Sequence, residues 1–422
     1  MTKIRNQAIS EKIIKAVDDC KTTEFPTMNQ RPRVAIVADD RRQDAVAQAL
    51  HLLGDAWPIV PRQGTILKPN LVSHNDLRAS SHPTTVATVA DYLYARGAEH
   101  LTIAEGATDA TSGFDLLGHR RMFFGRNVTW FDINRDETRW QEIDLRGTNQ
   151  AMRPSRISST IAQADLYVSV ALAKTHVNTM LTGCLKNQMS CLHPNDRIQM
   201  HGYQAGGNGY TGLKHKMVQW LKGDSPAVAY ATTALGRAKQ AAVIAQQITG
   251  RLTWEKLSKP QVEFVKSVAA MHTNLVRLNQ AVKPRLALVD GFSAMDGEGP
   301  RFGRSRNLGW VVAGSDPVAV DSVVAHLMGL QLGDIGYLVL ADQAGLGSSN
   351  LDQIELVGDP IQKLARRCRR HSHAPLQRLW RDALTAIGET RPGPASPQQS
   401  AYHSHLSASQ RDSSALDRSV SH

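Results

Sequence analysis

One stretch concentrates side chains able to do chemistry: AKTHVNTMLTGCLKNQMSCL, residues 173–192. From Lys174 to Asn187 it carries two lysines, a histidine, three threonines and two asparagines. That mixture suits an anion or a polar substrate. Lys174, Thr175 and His176 follow an apolar run, Leu166 to Leu172, that reads as a buried strand running into a polar turn. Ligands in α/β proteins gather at strand ends. A helical pattern comes next: Thr182, Lys186 and Met189 share one face by their spacing, and Cys184, Asn187 and Cys191 a neighbouring one. The plain alternative is a helix entry whose threonines cap and whose lysines lie in solvent.

Further polar points lie at other expected strand ends. Lys68, Pro69 and Asn70 follow Thr65–Leu67, and Ser80, Ser81 and His82 precede Pro83. Glu105 and Gly106 follow Leu101–Ala104, and Asp290 opens DGFSAMDGEGPRFG. Lys68, Lys174 and Lys186 could converge on a phosphate or carboxylate, and a desolvated lysine can also act as a base. His82 and His176 are the acid–base candidates. A histidine at a helix start is the plain reading of His82. Asp290, Asp296, Glu298, Asp316 and Asp321 are hard oxygen donors of the kind that hold Mg²⁺ or Ca²⁺. For Asp296 a glycine turn, and for Asp316 a helix cap, are the favoured readings. Asp321 follows that cap on a helix of Val, Ala, Leu and Met, so it should point into apolar surroundings and need a partner. A lysine from a strand-end motif is the expected one. Cys184 and Cys191 read as core.

Positioning these groups requires strands alternating with helices. Val34–Val37, Thr65–Leu67, Leu101–Ala104, Val128–Ile133, Leu166–Leu172, Arg285–Val289, Leu308–Gly314 and Ile354–Val357 read as strands. Helices are expected at Arg42–Leu53, at Thr84–Arg96 behind Pro83, at Val318–Met328 behind Pro317, and at Ile335–Ala344. The fold class is therefore α/β, a mainly parallel sheet with flanking helices. Residues 1–31 read as a helix and linker, and 32–360 as the α/β domain. Residues 134–154 read as polar, with Trp140 and Leu145 as edge contacts, 196–212 as a glycine-rich loop or lid, and 213–280 as a helical insertion. Residues 361–422 read as a basic tail, disordered from 390 onward.

Composition limits the partners. The net charge is +11, but residues 361–422 hold ten Lys/Arg against four Asp/Glu, which leaves only +5 for the rest. A nucleic-acid partner is thus not expected for the body, although the tail could dock a protein. The four cysteines form no CxxC pair, which argues against a disulfide framework and against a self-contained iron–sulfur cluster, and for a reducing cytoplasm. No apolar run approaches the ~18 residues of a membrane span. The amphipathic N-terminus has no apolar signal core. Neither GxxxxGK[ST] nor GxGxxG occurs at a strand end.

The ordered set KPN, Ser-His-Pro, EG, AKTH with a Lys-Asn pair, DG with a glycine-rich GP segment, then DPVAVD and GLG resembles the "domain of unknown function 362" family over residues 65–350. Members are often linked to iron–sulfur proteins, and some carry ferredoxin-like modules. This chain lacks the clustered cysteines of such modules. The resemblance implies an α/β domain with a polar site at these strand ends and no established reaction. Two functions are weighed. One is an enzyme acting on a small anionic metabolite, with Lys68, Asn70, Glu105, Thr175, Lys186, Asn187, Asp290 and Glu298 binding. In it His82, His176 or Lys174 moves a proton, and Asp316 and Asp321 orient groups, with or without a divalent metal. The other is a non-catalytic ligand-binding or redox-partner protein.

Overall fold

The structure, a computed structural model, describes residues 31–107, 109–137, 140–204 and 252–391. Its centre is a ten-stranded sheet. The main path runs β12 (Glu355–Gly358), β1 (Arg33–Ala38), β11 (Trp310–Gly314), β9 (Leu286–Asp296), β7 (Leu166–His176), β2 (Thr65–Lys68), β3 (Leu101–Glu105), β4 (Val128–Asp132). From β9 to β4 every neighbouring pair on this path is parallel, as is β1 with β12, whereas β11 is antiparallel to both its neighbours. β8 (Met180–Thr182) and β10 (Arg304–Arg306) pair antiparallel with β7 and β9. The expected α/β class, mainly parallel with flanking helices, is what forms.

Both faces of the sheet are covered, and the strands show why their apolar runs are continuous rather than alternating. In β7, Tyr167, Ala171 and Ala173 pack into one core, and Leu166, Val168 and Val170 into the other. The Arg42–Leu52 and Pro83–Ala95 helices cover the second face, and the Pro317–Leu327 helix covers the first. Among the described residues no helix is long and apolar enough to cross a membrane.

Four sequence expectations change. β7 does not stop at Leu172: Lys174, Thr175 and His176 are strand residues, held by the β8 hairpin. β9 likewise continues through Asp290 to Asp296. Residues 134–154 hold strands that the polar sequence did not announce: β5 (Trp140–Arg146) and β6 (Met152–Ser158) form a separate antiparallel ribbon, on which Leu145 is buried and Trp140 packs against the first core. The body also extends past 360. Leu376, Trp380, Ala383, Leu384 and Ile387 pack with Val265, Val268 and Ala269 in a third apolar cluster. The described part of 213–280 holds a 3-10 turn, Trp254–Lys256, and a helix, Lys259–Val282, that serves two of these cores. Residues 1–30, 205–251 and 392–422 lie outside the described residues, and with them the expected N-terminal helix, most of the expected insertion, and about half each of the glycine-rich segment and the tail. The described start of that segment, Pro194–His201, is a 3-10 helix.

Candidate functional site

Neighbouring parallel strands end at the same edge of a sheet. Lys68 closes β2 and Glu105 closes β3, and their side chains meet at 2.8 Å with neither exposed. Burial alone would raise the Glu105 pKa, but Lys68 and the N–H groups of Ala107 and Leu71 hold it below its ordinary value. Lys68 Nζ also donates to Asn187 Oδ1 at 3.2 Å. Asn70 Nδ2 donates to the same oxygen at 3.0 Å. Lys174 Nζ donates to Asn70 Oδ1 at 2.6 Å and to the Ala79 carbonyl at 2.8 Å. One network thus joins the ends of β2, β3 and β7 to a single turn of helix, Cys184–Asn187.

The β7–β8 hairpin explains the spacing of the KTH motif. Lys174 lies opposite Thr182, and His176 opposite Met180. Cross-strand partners share a face, and so do residues two apart on a strand. Lys174, His176 and Thr182 therefore project together, and Thr175 projects away, where its hydroxyl donates to the Gly297 carbonyl at 2.9 Å. The backbone of Gly299 presses on the Thr175 carbonyl so closely that a Cβ there would collide with it.

A cavity of about 200 Å³ opens beside this hairpin, lined by Asn70, His176, Thr182, Lys186, Asn187 and Arg197 together with Val72, Ala107, Met189, Ser190 and Pro300. Its only charged lining side chains among the described residues, Lys186 and Arg197, are cationic. Two buried hydroxyls in the lining, Thr182 Oγ1 and Ser190 Oγ, have no hydrogen-bond partner among the described residues. Burial and the Lys186 charge bring the Lys174 pKa down to about 7. Burial and the Lys68 charge bring Lys186 down to about 8. Burial and the cations around it hold His176 well below its ordinary value. His176 Nδ1 accepts from the Asn178 N–H at 3.0 Å, so the neutral ring carries its proton on Nε2.

Asp321 is fully buried, but its partner is not a lysine. Its carboxylate accepts from the backbone N–H groups of Cys184 at 2.6 Å and Leu185 at 3.0 Å. It thereby anchors the turn that carries Lys186 and Asn187. The approach is tight enough that a Cβ on Gly183 would collide with the carboxylate. Burial raises the Asp321 pKa to about 7 against the pull of those two donors.

Other expected members lie elsewhere. His82 caps the Pro83–Ala95 helix, its Nδ1 accepting from the Thr84 N–H at 3.2 Å. Burial and Arg42 lower its pKa, with Asp290 opposing. Asp290 meets Arg42 Nε at 3.0 Å and Thr85 Oγ1 at 2.5 Å. Neither His82 nor Asp290 lines the cavity. Glu298 accepts from the Ser372 N–H and hydroxyl, both at 2.9 Å, and meets His371 at 3.1 Å. Asp316 is the cap of the Pro317–Leu327 helix, accepting from the N–H groups of Val318 and Ala319. Asp296 accepts from the Arg369 N–H at 3.1 Å. The carboxylates expected as metal ligands are thus spent on separate partners, and among the described residues no group of three His, Cys, Asp or Glu is placed to hold a metal ion.

Ser190, Arg197 and Thr182 were not among the site residues expected from sequence. Arg197 and Ser190 had no strand-end signal, because a 3-10 turn and helix bring them in. Thr182, grouped with Lys186 by helical spacing, enters the lining instead through the β7–β8 hairpin.

No curated protein matches the chain. Among solved structures it is similar to the lactate racemase apoprotein of Thermoanaerobacterium thermosaccharolyticum, at 11% identity and a TM-score of 0.36, over 70% of this chain and 57% of that one. The chain thus spans little more than half the length of that relative. Residues 65–326, which supply every strand of the sheet from β2 to β11 and all the cavity's lining, match the family described as "Domain of unknown function (DUF362)", and the chain belongs to that family.

Proposed function

We propose that the protein is an enzyme acting on a small anionic metabolite, a carboxylate or phosphate, held in the cavity beside the β7–β8 hairpin. The observation that carries this reading is the sign of the lining: Lys186 and Arg197 face a cavity without a lining carboxylate among the described residues. Half-buried cations of one sign are costly unless something pairs with them. Burial and the neighbouring Lys68 charge bring the Lys186 pKa down to about 8, in the direction such a cost implies. An anion would relieve it. Thr182 and Ser190 supply hydroxyls for further polar groups of the ligand.

In this reading Lys186 and Arg197 bind the anion, and the His176 Nε2–H donates a hydrogen bond as a neutral ring. Lys174, fully buried and outside the lining, acts on the site through the Asn70 oxygen that it holds rather than on the ligand itself. Lys68, Glu105, Asn70 and Asn187 hold these groups in place.

The test is calorimetric titration of the full chain with propionate, pyruvate and inorganic phosphate, repeated on Arg197→Gln. At least one anion should bind, and the variant should bind it roughly tenfold more weakly, the ~1.4 kcal/mol expected of a charge-assisted contact. Failure of all three to bind at millimolar concentration would sink the reading. Binding of an anion followed by exchange or conversion of its hydrogens in D₂O, read by NMR, separates an enzyme from a carrier.

A further inference from the structure

The three buried or half-buried lysines of the site differ in what they touch. Lys68 meets the Glu105 carboxylate, and Lys174 meets an amide oxygen and a backbone carbonyl. Lys186 Nζ, the one that lines the cavity, has a single hydrogen bond among the described residues, to Met189 Sδ at 3.2 Å. A thioether is a weak acceptor. An ammonium placed there gives up hydration for little return, and the positive Lys68 adds to its cost. The surroundings therefore bring the pKa from its ordinary 10.5 down to about 8, so the amine is still mostly charged near neutrality but is far more often neutral than a lysine in water. Lysines in such settings serve as nucleophiles toward carbonyl carbon.

We propose that Lys186 condenses with a small 2-oxo carboxylate to form an imine. This rests on the anion-binding reading and names its substrate class. A 2-oxo carboxylate places a carbonyl carbon beside an anionic group, so one ligand meets both the amine and the cationic lining. The cavity, at about 200 Å³, admits a molecule of a few heavy atoms. Lys174 does not compete for this role, since it is fully buried and outside the lining.

The chemistry balances without a redox partner. The Nζ lone pair attacks the carbonyl carbon, and the C=O π pair moves to oxygen, which takes a proton. The nitrogen then loses a proton, leaving a carbinolamine. The hydroxyl departs with a second proton as water while the nitrogen lone pair forms the C=N bond, and the resulting iminium gives back one proton to become the imine. Amine plus carbonyl thus gives imine plus water. Thr182 and Ser190 line the same cavity with hydroxyls that have no partner among the described residues, and in this proposal they exchange protons with the oxygen. Arg197 supplies donors for the carboxylate.

The test uses the full chain with glyoxylate, pyruvate and 2-oxoglutarate in turn, each followed by borohydride reduction and peptide mass spectrometry. At least one acid should leave one adduct per chain, on Lys186, with a mass gain equal to the acid less one oxygen atom. Excess propionate should suppress it. Lys186→Arg should lose it, while a melting temperature within a few degrees of wild type shows the variant folded. Calorimetry on the wild type runs in parallel. Binding of an oxo acid without a reducible adduct at Lys186 overturns the imine and leaves the anion pocket standing. Absence of any carboxylate binding removes both. Adducts scattered over many lysines and unchanged in Lys186→Arg also overturn it.

Discussion

Replacing Asp321 by asparagine tests how the turn beneath the cavity is held. The carboxylate is buried, accepts from two backbone N–H groups, and has its pKa raised from 3.8 to about 7. The unfolded chain titrates near the ordinary value. Between the two pH values the folded state holds a proton that the unfolded state has lost. Stability must then fall as pH rises from about 4 to about 7. At 1.36 kcal/mol per pKa unit the rise is worth about 4 kcal/mol. Asparagine has the shape of the protonated acid and does not titrate. The difference in unfolding free energy, wild type minus Asp321→Asn, should therefore decrease by as much as about 4 kcal/mol between pH 4 and pH 8. Urea unfolding at several pH values measures it, with the linear extrapolation applied to both proteins. A difference that instead grows with pH would mean that the N–H groups of Cys184 and Leu185 outweigh burial and that the carboxylate is favoured. Asp321→Ala differs in kind. It leaves two buried N–H groups without acceptors, at about 1–3 kcal/mol each, and should loosen the turn carrying Lys186.

Other predictions follow from the same geometry. Glu105→Gln leaves Lys68 buried without its counter-ion and should cost roughly 3–5 kcal/mol in chemical denaturation. Anion affinity should decline as pH rises from about 7 through about 8, as Lys174 and Lys186 lose their charge, and calorimetry at pH 6.5 and 9 reads this directly. A chain ending at residue 391 should keep the melting temperature of the full chain within a few degrees, because 392–422 has no apolar periodicity. A chain ending at 364 should lose stability and anion binding together, since it lacks Trp380 in the third apolar cluster and Gln377, which donates to the His176 carbonyl at 2.9 Å.

The alternation of strand and helix was legible because apolar runs of the right length, capped by Pro and Gly, mark a sheet buried on both faces. The KPN, EG and AKTH motifs were legible for a related reason, since polar residues directly after such runs stand out. What could not be read was how these residues pair. Lys174 and His176 interrupt the apolar pattern, so the strand looked finished at Leu172, and the hairpin that aligns Lys174 with Thr182 was hidden. Asp321 met backbone donors, which leave no mark in a sequence, and the expected lysine was spent on other partners. Lys186 and Asn187, adjacent in the chain, diverge on a helix by about 100° of rotation. One faces the cavity beside Met189, and the other reaches back to Lys68 and Asn70. His82 and Asp290 stand at the expected ends but are taken up by a helix cap and by Arg42.

The contacts of Lys174 bear on how fast this site can change its charge. Its Nζ has two acceptors, Asn70 Oδ1 and the Ala79 carbonyl. An ammonium has three N–H bonds and a neutral amine has two. Losing the proton that has no acceptor in this pair breaks neither contact and turns no side chain. It also leaves a lone pair where that N–H had been. Asn70 and Asn187 can keep their orientations through the event, so the network need not reorganise when Lys174 titrates. A group that titrates without moving its neighbours pays little in rearrangement each time its charge changes.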